Sequence, residues 1–363
     1  MFHPLRVTEV SPLTDDSVTV TFEVPEELRA EYRYAPGQHI AIRRFADGAE
    51  IRRTYSLCDP VPPDGGTDPG SGAGPGPGPR RLRVGVRLVE QGEFSTYALK
   101  ELAAGDVLDV MTPAGRFVLE PRPGRFAAVV GGSGITPVLS QMATVLAHEP
   151  GASFCLVRSD RTAASTMFLE EVADLKDRWP DRFQLVSALS REEQQAGLPS
   201  GRLDAERLTA LLPALMPVDA VDGWYLCGPL GLVGAAEKAL RTLGVPRSRV
   251  HQEIFHVDEV PATATAAEPI PGGGTVRATL DGRGGQWPSL AGESVLDTVL
   301  RNRSDAPYAC KGGVCGTCRT RLVSGEVRMD RNFALEPEET EAGYVLACQS
   351  HPVTSVVEVD FDA

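Results

Sequence analysis

Cys310-Lys311-Gly312-Gly313-Val314-Cys315-Gly316-Thr317-Cys318 carries three thiols in the spacing C-x4-C-x2-C, and a fourth, Cys348, follows on a separate segment. Four thiolates complete two tetrahedral irons joined by bridging sulfides, and this is the spacing in which a chain wraps a [2Fe–2S] cluster. Gly312, Gly313 and Gly316 are small enough to let the backbone close round the cluster, with N–H groups free to point at sulfur. A zinc site and unpaired core thiols are the other readings of grouped cysteines. Zinc ribbons pair two C-x2-C knuckles, and here one knuckle sits inside a longer loop. Cys310, Cys315, Cys318 and Cys348 are therefore expected to ligate iron.

Around that loop the last segment, 274–363, mixes two rhythms. Strands are expected at 276–280 and 357–361, and a helix where Val295, Leu296, Val299 and Leu300 recur. Upstream, 258–273 with Pro261, Pro269 and Pro271 reads as a mobile tether. Over 123–257 the apolar runs 126–130, 153–157, 183–189 and 224–227 alternate with helical segments. Val138, Leu139, Met142, Val145 and Leu146 mark one such helix, and Ala236, Leu240 and Leu243 another. Strand alternating with helix implies a parallel sheet covered on both faces. Over 1–122 the period is two, with Val18, Val20, Phe22 and Val24 in one run and Leu82, Val84, Val86 and Leu88 in another. Turns such as Pro36-Gly37 and Pro113-Ala114-Gly115 separate short strands and predict an antiparallel barrel or sandwich. A Gly/Pro-rich insert, 61–80, cannot bury a core and is expected to be mobile.

Size and charge set the frame. At 363 residues the chain is long for one core and comfortable for two or three domains. A formal net charge of −13 argues against a nucleic-acid partner. No run approaches the roughly 18–20 apolar residues of a membrane span, and residues 1–10 lack the basic start and apolar core of a signal peptide. Seven cysteines, an odd number with four assigned to a cluster, fit a reducing compartment. A cytoplasmic protein is expected.

Three further motifs carry chemistry. Gly132-Ser133-Gly134-Ile135-Thr136-Pro137 follows an apolar strand and opens a helix, as a pyrophosphate-binding turn does. Thr136 is expected to cap that helix, and Pro137 suits its first turn. The ordinary dinucleotide fingerprint ends in a third glycine, and this one ends in proline. Arg53-Thr54-Tyr55-Ser56 offers a cation, a flat ring and a hydroxyl at the end of a barrel strand. It also reads as a strand with an exposed arginine and a packed tyrosine. Gly92-Glu93-Phe94-Ser95 is a candidate phosphate turn. Cys58 and Cys155 read as small buried hydrophobes.

Together these motifs resemble the ferredoxin–NADP reductase superfamily, joined here to a C-terminal plant-type ferredoxin. Tyr34-Ala35-Pro36-Gly37-Gln38-His39, Arg53-Thr54-Tyr55-Ser56-Leu57-Cys58, the stretch Tyr308-Ala309-Cys310-Lys311-Gly312-Gly313-Val314-Cys315 and the ending Val359-Asp360-Phe361-Asp362 are similar to the reductase subunits of phenylacetyl-CoA epoxidases. The likeness lapses only at 61–80 and 258–273. It implies a multidomain chain: an antiparallel β-barrel flavin domain, an α/β parallel-sheet nucleotide domain and a β-grasp ferredoxin domain.

By that resemblance Arg53 pairs with the FAD pyrophosphate, Tyr55 lies against the isoalloxazine and Ser56 faces its reactive nitrogen. Thr54 belongs to the same site, and Gly92, Phe94 and Ser95 complete its phosphate end. Gly132, Ser133, Gly134, Thr136 and Pro137 cradle the nicotinamide dinucleotide. Cys227, in Leu226-Cys227-Gly228-Pro229, matches the position near the nicotinamide, so Tyr55, Ser56 and Cys227 are the catalytic candidates. Phe255 either covers the flavin or packs in the core. Nucleotide choice is divided: Asp160, at a strand end, is where an acid accepts the ribose hydroxyls of NAD. Ser190-Arg191 resembles the pair that holds the 2′-phosphate of NADP, and Arg161 offsets Asp160. NADPH is expected.

The chain is thus expected to pass electrons from NADPH through FAD and [2Fe–2S] to an oxygenase, the multisubunit di-iron enzyme that epoxidises the phenylacetyl-CoA ring in phenylacetate catabolism. An NADH-dependent reductase of another multicomponent oxygenase, such as a steroid hydroxylase, is the other enzymatic reading. A non-catalytic redox-sensing protein is the reading from another class.

Overall fold

A computed structural model describes residues 2–46, 48–61, 78–193, 198–256, 274–303 and 305–363. The chain forms two compact units, Met1–Val257 and Asp258–Ala363. The expected mobility of 61–80 and 258–273 falls almost wholly on residues outside that description.

The first unit begins with β1 (Phe2–Thr14), β2 (Ser17–Glu23), β3 (His39–Ala46), β4 (Ala49–Ser56), β5 (Arg81–Arg87), α1 (Glu93–Lys100) and β6 (Val107–Met111). The strands form an antiparallel sheet in the order β4-β3-β6-β1-β2-β5. An isolated bridge, Leu57 to Val84, joins the two edges and closes the barrel. The expected period of two is why the strands pair as they do. Val18 faces Val86, Val20 faces Val84 and Phe22 faces Leu82, and all six are buried. Each such side chain contributes about 1.5–3 kcal/mol by leaving water, and slipping the register by one residue would turn the whole set outward. Two ends depart from expectation. Val24 is buried but lies past β2, and Leu88 lies past β5 and is 42% exposed.

Next come β7 (Gly124–Gly131), α2 (Ile135–His148), β8 (Ala152–Asp160), α3 (Leu169–Arg178), β9 (Phe183–Leu189), α4 (Ala205–Leu215), β10 (Gly223–Pro229), α5 (Leu230–Thr242) and β11 (Val250–His256). The five strands are parallel in the order β11-β10-β7-β8-β9. This is the alternating βα layout, with its reversal of strand order beside β7. Val138, Leu139, Met142, Val145 and Leu146 all lie in the buried core against the sheet. Leu243 caps α5 from just outside it.

The second unit holds β12 (Thr275–Leu280), β13 (Arg283–Pro288), α6 (Val295–Leu300), β14 (Arg319–Ser324), β15 (Val327–Met329), α7 (Pro337–Glu341), β16 (Tyr344–Leu346), β17 (Ser350–Pro352) and β18 (Val356–Asp360). Its mixed sheet runs β13-β12-β18-β14-β16, with β12 and β18 parallel at its centre. Ser294 caps α6, its hydroxyl accepting the N–H of Asp297 at 3.1 Å. Val295, Leu296 and Val299 then pack on Val276, Ala278, Val357 and Val359. One helix laid across a mixed sheet is the β-grasp arrangement. The core of this unit also contains Cys318 and Cys348, which ties the last two candidate ligands to the fold.

Candidate redox site

The flavin candidates lie where β4 leaves the barrel. Arg53 is exposed and its Nη1 donates to the Arg52 carbonyl at 2.7 Å. Tyr55, two residues on and therefore on the same strand face, meets Phe94 with ring centroids 5.3 Å apart. Through Phe94 it reaches the start of α1. So the structure joins the Arg53–Ser56 strand end to the turn of Gly92, Phe94 and Ser95 through the Tyr55–Phe94 contact, although some forty residues separate them.

No side chain among the described residues caps α1 at Gly92. Its first N–H groups therefore remain available to an anion, which fits the phosphates of FAD. A Cβ on Gly92 would lie 2.6 Å from Ser95 Oγ and 2.9 Å from the Val89 carbonyl, so the turn is closed to any larger residue. The Ser95 hydroxyl is engaged locally, accepting Val89 N–H and donating to the Gly92 carbonyl, both at 3.1 Å. Ser95 thus shapes this turn.

Ser56 shows a connection that the motifs did not reveal. Its Oγ donates to Glu253 Oε2 at 3.5 Å, and Glu253 Oε1 lies 3.8 Å from His39 Nδ1. The β10–β11 register sets Glu253 directly beside Cys227. Cys227 is fully buried, and burial, then the Glu253 carboxylate, push its thiol well above the ordinary range. It is a neutral thiol at physiological pH. His39 Nε2 is buried with no hydrogen-bond partner among the described residues. His39 ends a quoted motif and Glu253 lies two residues before Phe255, yet only the fold turns them toward Ser56. Phe255 is partly buried and packs against the nucleotide-domain core, which favours its packing role.

The glycine-rich turn sits at the carboxyl end of β7, as expected. A Cβ on Gly134 would come 2.3 Å from the Cys227 carbonyl oxygen, so only glycine lets this loop lie against β10. Thr136 departs from expectation. It is the second residue of α2, and its hydroxyl donates to the Ser133 carbonyl at 2.9 Å; no side chain among the described residues caps α2. Ile135 N–H, the first of α2, donates to the Gly132 and Ser133 carbonyls, so the glycine-rich turn runs straight into the helix and its own N–H groups are those that can meet a phosphate. Gly228 and Pro229 close β10 beside this loop.

Beyond β8 the two sequence signals for nucleotide choice separate. Asp160 accepts Arg158 Nε at 2.8 Å, and both side chains are almost wholly buried. The acid is committed to a structural ion pair and is not presented to a ribose. Ser190 N–H donates to the Asp160 carbonyl and Arg191 N–H to the Arg161 carbonyl, each at 2.9 Å. Arg161 and the exposed Arg191 are therefore neighbours at the sheet edge. Arg161 itself pairs with Asp16 of the barrel.

In the second unit the four candidate ligands fall into two pairs. The Cys310 and Cys315 thiols are close enough for each to shift the other, as are those of Cys318 and Cys348. Two thiols for each of two irons is the donor set that a [2Fe–2S] cluster takes. The Cys315 thiol, with the backbone N–H groups of Gly312, Val314 and Cys315, holds Cys310 down at about 5. The Gly312 N–H lies 3.3 Å from Cys310 Sγ, the kind of donor that steadies a cluster sulfur. These residues fit the cluster.

The family model described as 2Fe-2S iron-sulfur cluster binding domain matches residues 278–353, and the one described as oxidoreductase NAD-binding domain matches 129–238. The whole chain aligns, with 41% identity, to 98% of a component of the 1,2-phenylacetyl-CoA epoxidase of Escherichia coli (strain K12). The chain belongs to the ferredoxin–NADP reductase superfamily. This reductase is also 32% identical, over 98% of its length and 96% of the relative's, to the ferredoxin reductase component of 3-ketosteroid-9-alpha-monooxygenase from Rhodococcus rhodochrous. Its fold is that of phthalate dioxygenase reductase, with a TM-score of 0.59, 24% identity and coverage of 99% and 98% of the two chains. The reductase is an NAD(P)H oxidoreductase with a flavin, a nicotinamide nucleotide and a [2Fe–2S] cluster, and it passes electrons to the oxygenase of a multicomponent system. Among its described residues no helix is long and apolar enough to cross a membrane.

Proposed function

We propose that the reductase takes its electrons from NADPH and delivers them to an oxygenase that epoxidises the ring of phenylacetyl-CoA. The second half of that reading is supported by 41% identity with the Escherichia coli epoxidase component along the entire chain, against 32% for the steroid-oxygenase relative. The first half rests on one observation. Asp160, the acid placed at the end of β8 to discriminate for NADH, is neutralised by Arg158, while Ser190, Arg191 and Arg161 stand together at the adjoining strand ends.

On this reading 1–122, with its insert 61–80, is the flavin domain, 123–257 the nucleotide domain, 258–273 the tether and 274–363 the cluster domain. Arg53, Thr54, Tyr55, Ser56, Gly92, Phe94 and Ser95 hold FAD; Gly132–Gly134, Thr136, Pro137, Gly228 and Pro229 hold the dinucleotide; and Arg161, Ser190 and Arg191 hold its 2′-phosphate. Cys310, Cys315, Cys318 and Cys348 hold the cluster. Bound together, these groups supply the change from hydride transfer to single-electron transfer.

The chain's own part is placement and proton handling. Tyr55, backed by Phe94, presents a flat apolar ring, and Cys227, a neutral thiol beside Glu253, brings no charge to the strand ends. Ser56 Oγ donates to the Glu253 carboxylate, so Glu253 is the group that exchanges a proton with Ser56, and His39, 3.8 Å from its other oxygen, sets the charge around it.

Replacing Arg191 with alanine tests the donor. The KM for NADPH should rise about ten- to a hundredfold, the value of a charge-assisted hydrogen bond, with little change for NADH. Equal losses for the two nucleotides would overturn the NADPH assignment. NADPH oxidation coupled to purified phenylacetyl-CoA epoxidase, and to a ketosteroid hydroxylase, tests the partner; faster turnover with the steroid enzyme would overturn that half.

A further inference from the structure

At the rim of the nucleotide crevice one carboxylate faces two guanidinium groups. Asp16 lies in the turn between β1 and β2, and it accepts Arg87 Nε and Nη2, each at 3.1 Å. It also accepts Arg161 Nη2, across 145 residues of sequence. The Thr14 hydroxyl donates to Asp16 Oδ1 at 2.8 Å and fixes the carboxylate's position. Arg87 borders the glycine-rich loop, since a Cβ on Gly132 would lie 3.1 Å from its Nη1. Arg161 leads directly from β8 and carries the N–H of Arg191 on its carbonyl at 2.9 Å. Three arginines thus surround the carboxyl end of the parallel sheet, where dinucleotide phosphates bind, and a carboxylate from the other half of the unit sits among them.

We propose that Asp16 is a specificity-determining counter-anion, which occupies Arg161 until the 2′-phosphate of NADPH displaces it. The proposal deepens the NADPH reading and rests on it. The Arg161 and Asp16 side chains are 46% and 27% exposed, so their bond is a solvent-screened one that a phosphate can exchange. A phosphate monoester brings up to two negative charges and three acceptor oxygens where the carboxylate brings one charge and two. Asp16, held by Thr14 and Arg87, stays in place after the exchange and repels the incoming phosphate. The 2′-phosphate is therefore bound more weakly than Arg161 and Arg191 alone would bind it.

The test uses the full-length protein with its cofactors bound. Adenosine 2′,5′-bisphosphate and adenosine 5′-monophosphate are titrated by calorimetry into wild type, Asp16→Asn, Arg161→Ala and the double variant. KM values for NADPH and NADH are measured alongside. Asp16→Asn should bind the bisphosphate about two- to fivefold more tightly, the range set by an exposed ion pair, and its KM for NADPH should fall by the same factor. Binding of the monophosphate should change less, and the gain should vanish in the Arg161→Ala background. Asp16→Ser, which also removes the charge, should behave as Asp16→Asn does. Weaker or unchanged bisphosphate binding in both Asp16 variants, equal tightening of both ligands, or a gain that survives Arg161→Ala would overturn the proposal. Wild-type protein that binds the two adenosine ligands equally would overturn the NADPH reading and this proposal with it.

Discussion

Cys155 on β8 and Cys310 in the cluster loop are the same residue put to opposite uses. Cys155 lies among Phe154, Leu156 and the rest of a strand buried on both faces, and burial alone pushes its thiol up to about 12. Cys310 is held at about 5, because a neighbouring thiol and three backbone N–H groups converge on its sulfur. The cluster loop can do this within nine residues, since its glycines aim the backbone inward. The nucleotide half of the molecule has no such self-contained stretch. On the proposed reading its chemistry is assembled from Ser56 on β4, Glu253 on β11, Cys227 on β10 and His39 on β3, which the fold brings side by side. One site is local and covalent in its logic; the other is a meeting of strand ends.

That contrast can be broken most severely at the cluster. Cys315→Ser should abolish the visible cluster absorption and bring NADPH-driven reduction of cytochrome c to background, while ferricyanide reduction through the first unit persists. Loss of both activities together would show that the two units are not separable in function. The next largest effect concerns stability. Asp160→Ala leaves the Arg158 guanidinium buried without its partner and should cost about 3–5 kcal/mol in urea unfolding monitored in the first unit. An unchanged unfolding midpoint with an altered NADPH to NADH preference would return Asp160 to the ribose site.

Glu253→Gln should sharpen the picture of the assembled site. Flavin reduction by NADPH, followed in a stopped-flow instrument, should slow about a hundredfold, as for loss of an acid–base group, with FAD content and KM little changed. A loss of FAD instead would make Glu253 a structural residue. The smallest effect is a null one with a definite sign. A thiol whose pKa is raised stays protonated below that value and becomes reactive only as pH climbs through it. Cys155 and Cys227 in the native protein should therefore resist iodoacetamide up to about pH 9, as judged by peptide mass mapping. Rapid labelling of Cys227 would mean that the thiol beside Glu253 is ionised.

Much of this molecule is legible in short runs of residues. Contiguous signals were enough for the C-x4-C-x2-C loop of the iron–sulfur domain, for the alternation that builds the parallel sheet, and for the barrel strands Val18–Phe22 and Leu82–Val86, because each depends on neighbours a few residues apart. Where a pattern ran to the end of an element it overreached, as at Leu88, Leu243 and Thr136, since element ends are decided by closure and packing rather than by period. Which polar groups meet is settled by the folded arrangement alone. Asp160 stands at the position of a ribose ligand in sequence, yet a partner two residues away on the same buried strand takes its charge. Asp16 carries no signal in sequence and gains its meaning from Arg161, and Glu253 gains its own from Ser56. Pairings across such distances are fixed by sheet register and barrel closure, which set the direction of each side chain only when the whole unit has folded.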